Sequence, residues 1–305
     1  SLGNLEVKRQ ATWGMSVERE FMLHIPELTI NWHILEACNY DCYFCYAKYG
    51  KKSNFSRDYS EILRDLSNLS GKVINFPSGP ISVQNIRINF AGGEPFLEKE
   101  LGSAVSLASD LGLRPSFISN GSLLTDSFIE HYGAMISVAG FSIDSFNRDT
   151  NQKIGRRDNK GRQIDFERFS EVFAQFRKIS PQTLLKINTV VCRENANDDF
   201  NQPLVELRPD RWKILRVIPI HGAEDLEISD AQFDAFLACH HDVDCRIVPE
   251  DNAHMHRSYL MLDPEGRFYQ REGSGYVKSA PIVQVGAARA LEGVDFDAKT
   301  YVSRY

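Results

Sequence analysis

The 305-residue chain is 42% hydrophobic and 25% charged, enough apolar content for a sizeable packed core. Its net charge of -6 argues against a general nucleic-acid-coating role. No apolar run reaches the roughly 20 residues of a membrane span and there is no secretory apolar region, so neither a nucleic-acid nor a membrane partner is expected.

Along the chain, β-rich apolar runs alternate with helical periodicity. LTINWHIL (28–35) is the first predicted strand and leads into a cysteine-rich loop. A helix over 58–69 precedes the strand IRINFAGG (86–93), which ends in glycines. A helix over 99–112 leads to the strand RPSFISNGS (114–122). A helix over 126–133, capped by Thr125, leads to the strand MISVAGFSID (135–144). The polar, basic loop NKGRQ (159–163) then runs into a helix over 165–179 with Asp165 at its start. The strand TLLKINTVV (183–191), a short helix over 201–207, the strand RWKILRVIPI (211–220) and a helix over 227–241 complete the alternation. After residue 242 the rhythm stops, and DPEG (263–266) signals a hairpin turn.

Six strands alternating with helices predict an α/β fold with a parallel sheet, read as a partial (β/α)6 barrel. Three parts follow: an N-terminal segment (1–27), the barrel (28–241) and a C-terminal extension (242–305) packed over the active site. On such sheets chemistry collects at the carboxyl ends of the strands. The polar groups expected there are Cys38 onward, Gly92-Gly93-Glu94, Asn120 and Asp144, with Lys186 and Asn188 on the fifth strand.

The six cysteines fall into two groups. Cys192, Cys239 and Cys245 are scattered and read as buried reduced thiols, which suits a cytoplasmic protein. Cys38, Cys42 and Cys45 lie within eight positions. Structural zinc wants four ligands, and His33 is poorly placed to be the fourth. A thioredoxin-type pair would use Cys42 and Cys45 and leave Cys38 without a role. A [4Fe–4S] cluster wants one external ligand on each iron, so three cysteines leave one iron open to a small molecule.

The pattern of Cys38, Cys42, Phe44 and Cys45 resembles the CxxxCxΦC signature of the radical S-adenosylmethionine (SAM) enzymes. The resemblance implies a radical SAM-type barrel carrying a [4Fe–4S] cluster on the three cysteines. It implies that SAM binds the open iron and is cleaved on reduction to methionine and a 5′-deoxyadenosyl radical. It also implies an electron donor such as flavodoxin or ferredoxin. GGEP (92–95) is similar to the element that holds the methionine amino group through Gly92, Gly93 and Glu94, a carboxylate suiting an ammonium. SNGS (119–122) and SIDS (142–145) resemble the contacts to the methionine carboxylate and ribose, which brings in Asn120, Ser122, Ser142 and Asp144, with Phe44 beside the adenine.

Within that family the chain resembles the viperin-like enzymes. The matches are N-x-H-x4-C (Asn31, His33, Cys38), RINFAGGEPFL (87–97), SNGSL (119–123), DSF (144–146), KIGR (153–156), KIN-x-V (186–190), P-x-RWK (209–213) and SYL-x-LD (258–263). The implied substrate is a ribonucleoside triphosphate, with CTP the family default and UTP its competitor. Its triphosphate would be gripped by Arg87, Arg156, Lys186, Arg211 and Lys213; Asn31 and Ala91 would lie near the nucleotide. Asn188 would face SAM or nucleotide, and Tyr259 would be the proton donor. The implied reaction is loss of water to a 3′-deoxy-3′,4′-didehydro nucleotide, an antiviral chain terminator. Ala91, Arg87 and Tyr46 stand where the animal enzymes carry Ser, Lys and Phe. No animal-type amphipathic helix or C-terminal Trp is present, so no lipid anchoring is expected. The competing readings are a radical SAM enzyme for a peptide or cofactor precursor, and a zinc-bearing interaction protein.

Overall fold

The computed structural model describes residues 22–45, 55–219, 223–251, 257–272 and 275–303. An 11-stranded sheet runs through it: β1 (Leu23–Leu35), β2 (Val73–Phe76), β3 (Gly79–Gly92), β4 (Arg114–Ser119), β5 (Val138–Ser142), β6 (Leu184–Val191), β7 (Arg211–Arg216), β8 (Arg246–Glu250), β9 (Leu260–Leu262), β10 (Phe268–Glu272) and β11 (Gly275–Lys278). The spatial order is β11-β10-β9-β1-β3-β4-β5-β6-β7-β8, with β2 hairpinned onto β3. From β1 through β8 that path is parallel throughout, the geometry of an open (β/α) barrel.

The helices are α1 (Phe55–Ser67), α2 (Leu101–Asp110), α3 (Asp126–Tyr132), α4 (Arg148–Ile154), α5 (Phe166–Ile179), α6 (Asn201–Leu207), α7 (Asp230–Cys239), α8 (Ile282–Val285), α9 (Ala287–Leu291) and α10 (Ala298–Ser303). Their starts obey the caps read from sequence. The Thr125 side chain accepts from Phe128 N, and the Asp165 side chain accepts from Arg168 N. Ser229 adds a capping box at α7.

All six predicted strands form, and β8 continues the parallel run beyond residue 242. Its sequence, RIVPE, carries a proline and two charges, so it does not read as a buried strand. The DPEG turn closes the β9–β10 hairpin, and β9 lies parallel to β1. The C-terminal chain therefore extends the sheet at the β1 edge. It then returns to clasp β1, where Tyr301 Oη donates to Glu27 O at 2.7 Å.

Strand alternation sorts the side chains into two faces. Trp32, Phe90, Phe117, Phe141 and Trp212 pack against aromatics of the helix layer, as in Trp212 on Phe236 of α7. The intervening residues, Asn31, Arg87, Asn89, Ser116, Lys186, Asn188 and Lys213, occupy the opposite, concave face. An interior lined this way is built to hold something polar.

Cys192 is buried as expected, whereas Cys239 is exposed and Cys245 half-buried, because α7 ends at Cys239 and Cys245 sits in the turn before β8. All six thiols are free. Among the described residues no helix is long and apolar enough to cross a membrane.

Trp212 is fully buried, stacks on Phe200 at 5.2 Å and donates Nε1 to Thr189 Oγ1 at 2.8 Å. We expect Trp212→Ala to lower the stability measured by denaturant unfolding by about 3–5 kcal/mol.

Candidate active site

The cysteine loop leaves the carboxyl end of β1 and is held from two sides by backbone. On one side Gly93 N donates to Leu35 O at 3.0 Å and Glu94 N donates to Ala37 O at 2.9 Å. A Cβ on Gly93 would lie 1.9 Å from Ala37 O, so the approach needs glycine. On the other side Tyr43 N donates to Ile154 O at 3.0 Å and Asp41 N to Arg157 O at 3.4 Å. Gly155 ends α4 at φ 76°, and a Cβ there would lie 2.2 Å from Asp41 O. GGEP and KIGR are thus the two walls of the loop.

Inside the loop, Cys45 N donates to Cys42 O at 3.0 Å and Tyr40 N points at Cys38 Sγ at 3.4 Å. Burial pushes the Cys42 thiol up to about 12, so a metal would have to displace its proton. Among the described residues no three Cys, His, Asp or Glu side chains form a group that could hold a single metal ion. A cluster takes each thiolate on a different iron, and three soft ligands from one loop fit that demand. His33 does not join them. It hydrogen-bonds Tyr269 Oη at 2.8 Å, and burial lowers its pKa to about 4.

Next to the loop lies a buried polar shelf. The Glu94 carboxylate accepts from Ser119 Oγ at 2.8 Å, Asn120 N at 2.9 Å and Phe96 N at 3.1 Å. Burial nevertheless holds its pKa above the ordinary carboxylate value. Asn120 Nδ2 donates to Asn39 Oδ1 at 2.9 Å, Asn39 Nδ2 donates to Ser122 Oγ at 2.9 Å, and Ser122 Oγ donates to Asn120 Oδ1 at 2.6 Å. This ring ties the end of β4 to the residue after Cys38. Asp144 accepts from Val190 N at 2.7 Å and pairs with Arg156. Arg156 sits 6.0 Å over the Phe44 ring. Ser142 and Asn188 pair across β5 and β6, and Asn188 Oδ1 is buried without a hydrogen-bond partner.

A second group lies deeper. Lys186 pairs with Gly140, two residues before the end of β5, which places its row roughly 7 Å below that end. Lys186 also pairs with Arg211, and Asn188 with Lys213. The cations therefore occupy the amino-terminal parts of β6 and β7, not the carboxyl ends expected from sequence. The strands run on beyond them, which a motif does not show. Burial, together with Lys213, Arg87 and Arg211, holds Lys186 well below the ordinary lysine pKa. Lys213 is paired with Glu250 at 2.8 Å and donates to Tyr259 Oη, which in turn donates to Glu250 Oε2 at 2.5 Å.

The predicted residues thus divide. Lys186, Arg211, Lys213 and Tyr259 come together. Arg87 faces them but is engaged by Glu27 at 2.8 Å and Thr29 at 2.7 Å. Arg156 belongs with Cys42 and Asp144 at the loop. Asn31 accepts from Asn89 at 2.9 Å, Ser116 donates to Asn89 at 3.1 Å, and Ala91 pairs with His33 above them. Tyr46 lies outside the described residues. Sequence reading did not pick Asn39, Asn89 or Glu250. The period of two from Arg87 to Ala91 points to Asn89; Glu250 had no signal, because β8 was not recognised.

A partial barrel with three cysteines after its first strand defines a radical SAM protein, and the Radical SAM superfamily model matches residues 32–202. Solved structures agree on the fold. "Native anSMEcpe with bound AdoMet" aligns with TM-score 0.65 at 14% identity over 92% of this chain and 82% of that one. Streptococcus suis SuiB bound to S-adenosylmethionine aligns with TM-score 0.64 at 14% identity over 91% of this chain and 67% of that one. Among curated proteins, the S-adenosylmethionine-dependent nucleotide dehydratase of Psychrobacter lutiphocae is 38% identical over 92% of this chain and 95% of its own length. The one of Pseudoalteromonas ulvae is 36% identical over 93% and 94%. The S-adenosylmethionine-dependent nucleotide dehydratase RSAD2 of Oncorhynchus mykiss is 33% identical over 90% and 78%. The chain belongs to this viperin-like, S-adenosylmethionine-dependent nucleotide dehydratase family of the radical SAM superfamily.

Gly155→Ala places a side chain in left-handed backbone against Asp41 O. We expect a loss above about 1 kcal/mol in stability and poorer iron retention after reconstitution, read by thermal unfolding and iron analysis.

Proposed function

We propose that the chain dehydrates a ribonucleoside triphosphate at C3′ and C4′, with CTP the first candidate and UTP the second. The observation that carries this is the half-buried Lys186, which shares the concave face below the cysteine loop with Arg87, Arg211 and Lys213 and has only Glu250 to offset them. Crowding like charges in a partly desolvated interior is costly, and a polyanion relieves the cost. Several charge-assisted bonds of roughly 1.5–3 kcal/mol each can hold a triphosphate there.

In this reading Cys38, Cys42 and Cys45 hold the [4Fe–4S] cluster. Glu94 takes the amino group of SAM, since Oε2 accepts one protein hydrogen bond and has capacity left. Gly92 and Gly93 let backbone approach it; Asn120, Ser122, Ser142, Asp144 and Asn188 line its polar side and Phe44 its adenine side. Cluster and SAM together supply a 5′-deoxyadenosyl radical, a hydrogen-atom abstractor.

The protein's own part is to hold the ribose with C4′ toward that site and to manage one proton. Loss of the C4′ hydrogen and of the 3′-hydroxyl as water needs one further electron and one proton. Tyr259 is the donor we assign, because Lys213 and Glu250 both bond its hydroxyl and fix its direction. Asn31, Asn89 and Ala91 face the nucleotide from β1 and β3. The product has no 3′-hydroxyl, so a polymerase cannot extend it, which fits antiviral defence.

Reduced, reconstituted protein with SAM should form 5′-deoxyadenosine faster with CTP or UTP than with none; no stimulation by CTP, UTP, GTP or ATP would overturn the reading. Lys186→Ala should raise the nucleotide KM roughly 10- to 100-fold with iron content unchanged. Cys42→Ala should lose both iron and 5′-deoxyadenosine formation; retained turnover in that variant would contradict the mechanism.

A further inference from the structure

The proposed dehydration consumes electrons that no residue of the chain supplies, so a one-electron carrier must reach the cysteine loop. The segment KIGRRDNKGR (153–162) bears five cations (Lys153, Arg156, Arg157, Lys160 and Arg162) against one acid, Asp158, a local balance of +4 in a chain of net -6. It packs on the cysteine loop through Tyr43 N to Ile154 O at 3.0 Å and through the Tyr40–Asp158 bridge. Its acid is turned in. Asp158 is buried and accepts from Arg162 Nε at 2.6 Å and from the N–H groups of Lys160 and Arg162. Lys153, Lys160 and Arg162 are exposed. So is Tyr43, which stands between Cys42 and Cys45 and takes a hydrogen bond from Arg157 at 3.4 Å. A hollow of about 390 Å³ beside the strip is lined by Tyr40, Arg162 and Arg168 together with Asp158 and Asp165.

We propose that this basic face around Tyr43, built by Lys153, Arg157, Lys160 and Arg162, is where an acidic one-electron carrier protein of the flavodoxin or ferredoxin kind docks to reduce the cluster. Charge complementarity selects that partner. It concentrates an acidic protein at a basic strip of an acidic molecule and speeds encounter. Electron-transfer encounters need only small interfaces, and a strip of this size suits one. The cluster ligand Cys38 is exposed on the same loop, which keeps the transfer path short.

The inference rests on the function proposed above, and its test is separable. Lys153→Glu/Lys160→Glu protein is reconstituted and compared with wild type, using an acidic flavodoxin and, separately, dithionite. Flavodoxin binding by titration at low salt, and its bleaching of the cluster absorbance, are read without nucleotide; 5′-deoxyadenosine is read with CTP. We expect flavodoxin binding and flavodoxin-driven rates to fall about tenfold or more, while iron content and dithionite-driven rates stay at wild-type levels. The wild-type flavodoxin rate should also fall with added salt. Unchanged flavodoxin binding and bleaching in the variant would overturn the assignment. So would equal losses with flavodoxin and dithionite, which would mean the segment only supports the loop. Arg162→Gln, which leaves the lysines in place, should show a smaller loss in the same direction. Failure of CTP to stimulate the wild type would overturn the proposed function and leave the docking result readable.

Discussion

Two backbone contacts, Gly93 against Ala37 and Gly155 against Asp41, set the position of the cysteine loop, and the rest of the site is arranged around that position. Backbone-to-backbone packing leaves no side chain to flex, so the loop has little freedom to slide. From this placement follow the Asn39–Asn120–Ser122 ring, the burial of Glu94 and the fit of Arg156 between Cys42 and Asp144. Three thiols would otherwise be an ordinary reactive loop; here they are held over the mouth of a polar barrel.

Charge is segregated along the strand axis. At the loop, Arg156 is neutralised by Asp144. Deeper, Lys186 lies among Arg87, Arg211 and Lys213, and Glu250 offsets part of their repulsion. Like charges gathered this way repel one another in the free protein, and the proposed triphosphate would relieve that repulsion.

Much of this was legible in the primary structure. The spacing of Cys38, Cys42 and Cys45 pointed to the radical SAM family because ligand number and spacing are local properties. The strands and the Thr125 and Asp165 caps were legible for the same reason. β8 was not, since Pro249 and Glu250 disguise it, and with it went Glu250 as the partner of Lys213 and Tyr259. Arg87, Arg156 and Lys186 read alike as cations in matching motifs, yet one is bound by Glu27, one joins the loop, and one stands deep in the barrel.

The cysteine spacing, the alternation of strand and helix, and the strip of basic residues from Lys153 to Arg162 are each written in neighbouring residues and so were readable from the primary structure. Which cations gather on one face, the meeting of Tyr259 with Glu250, and the packing of the basic strip on the cysteine loop emerge only from the fold. Those outcomes depend on strand register and on contacts between distant segments, and side chains of the same type acquire different roles according to the depth at which the sheet places them.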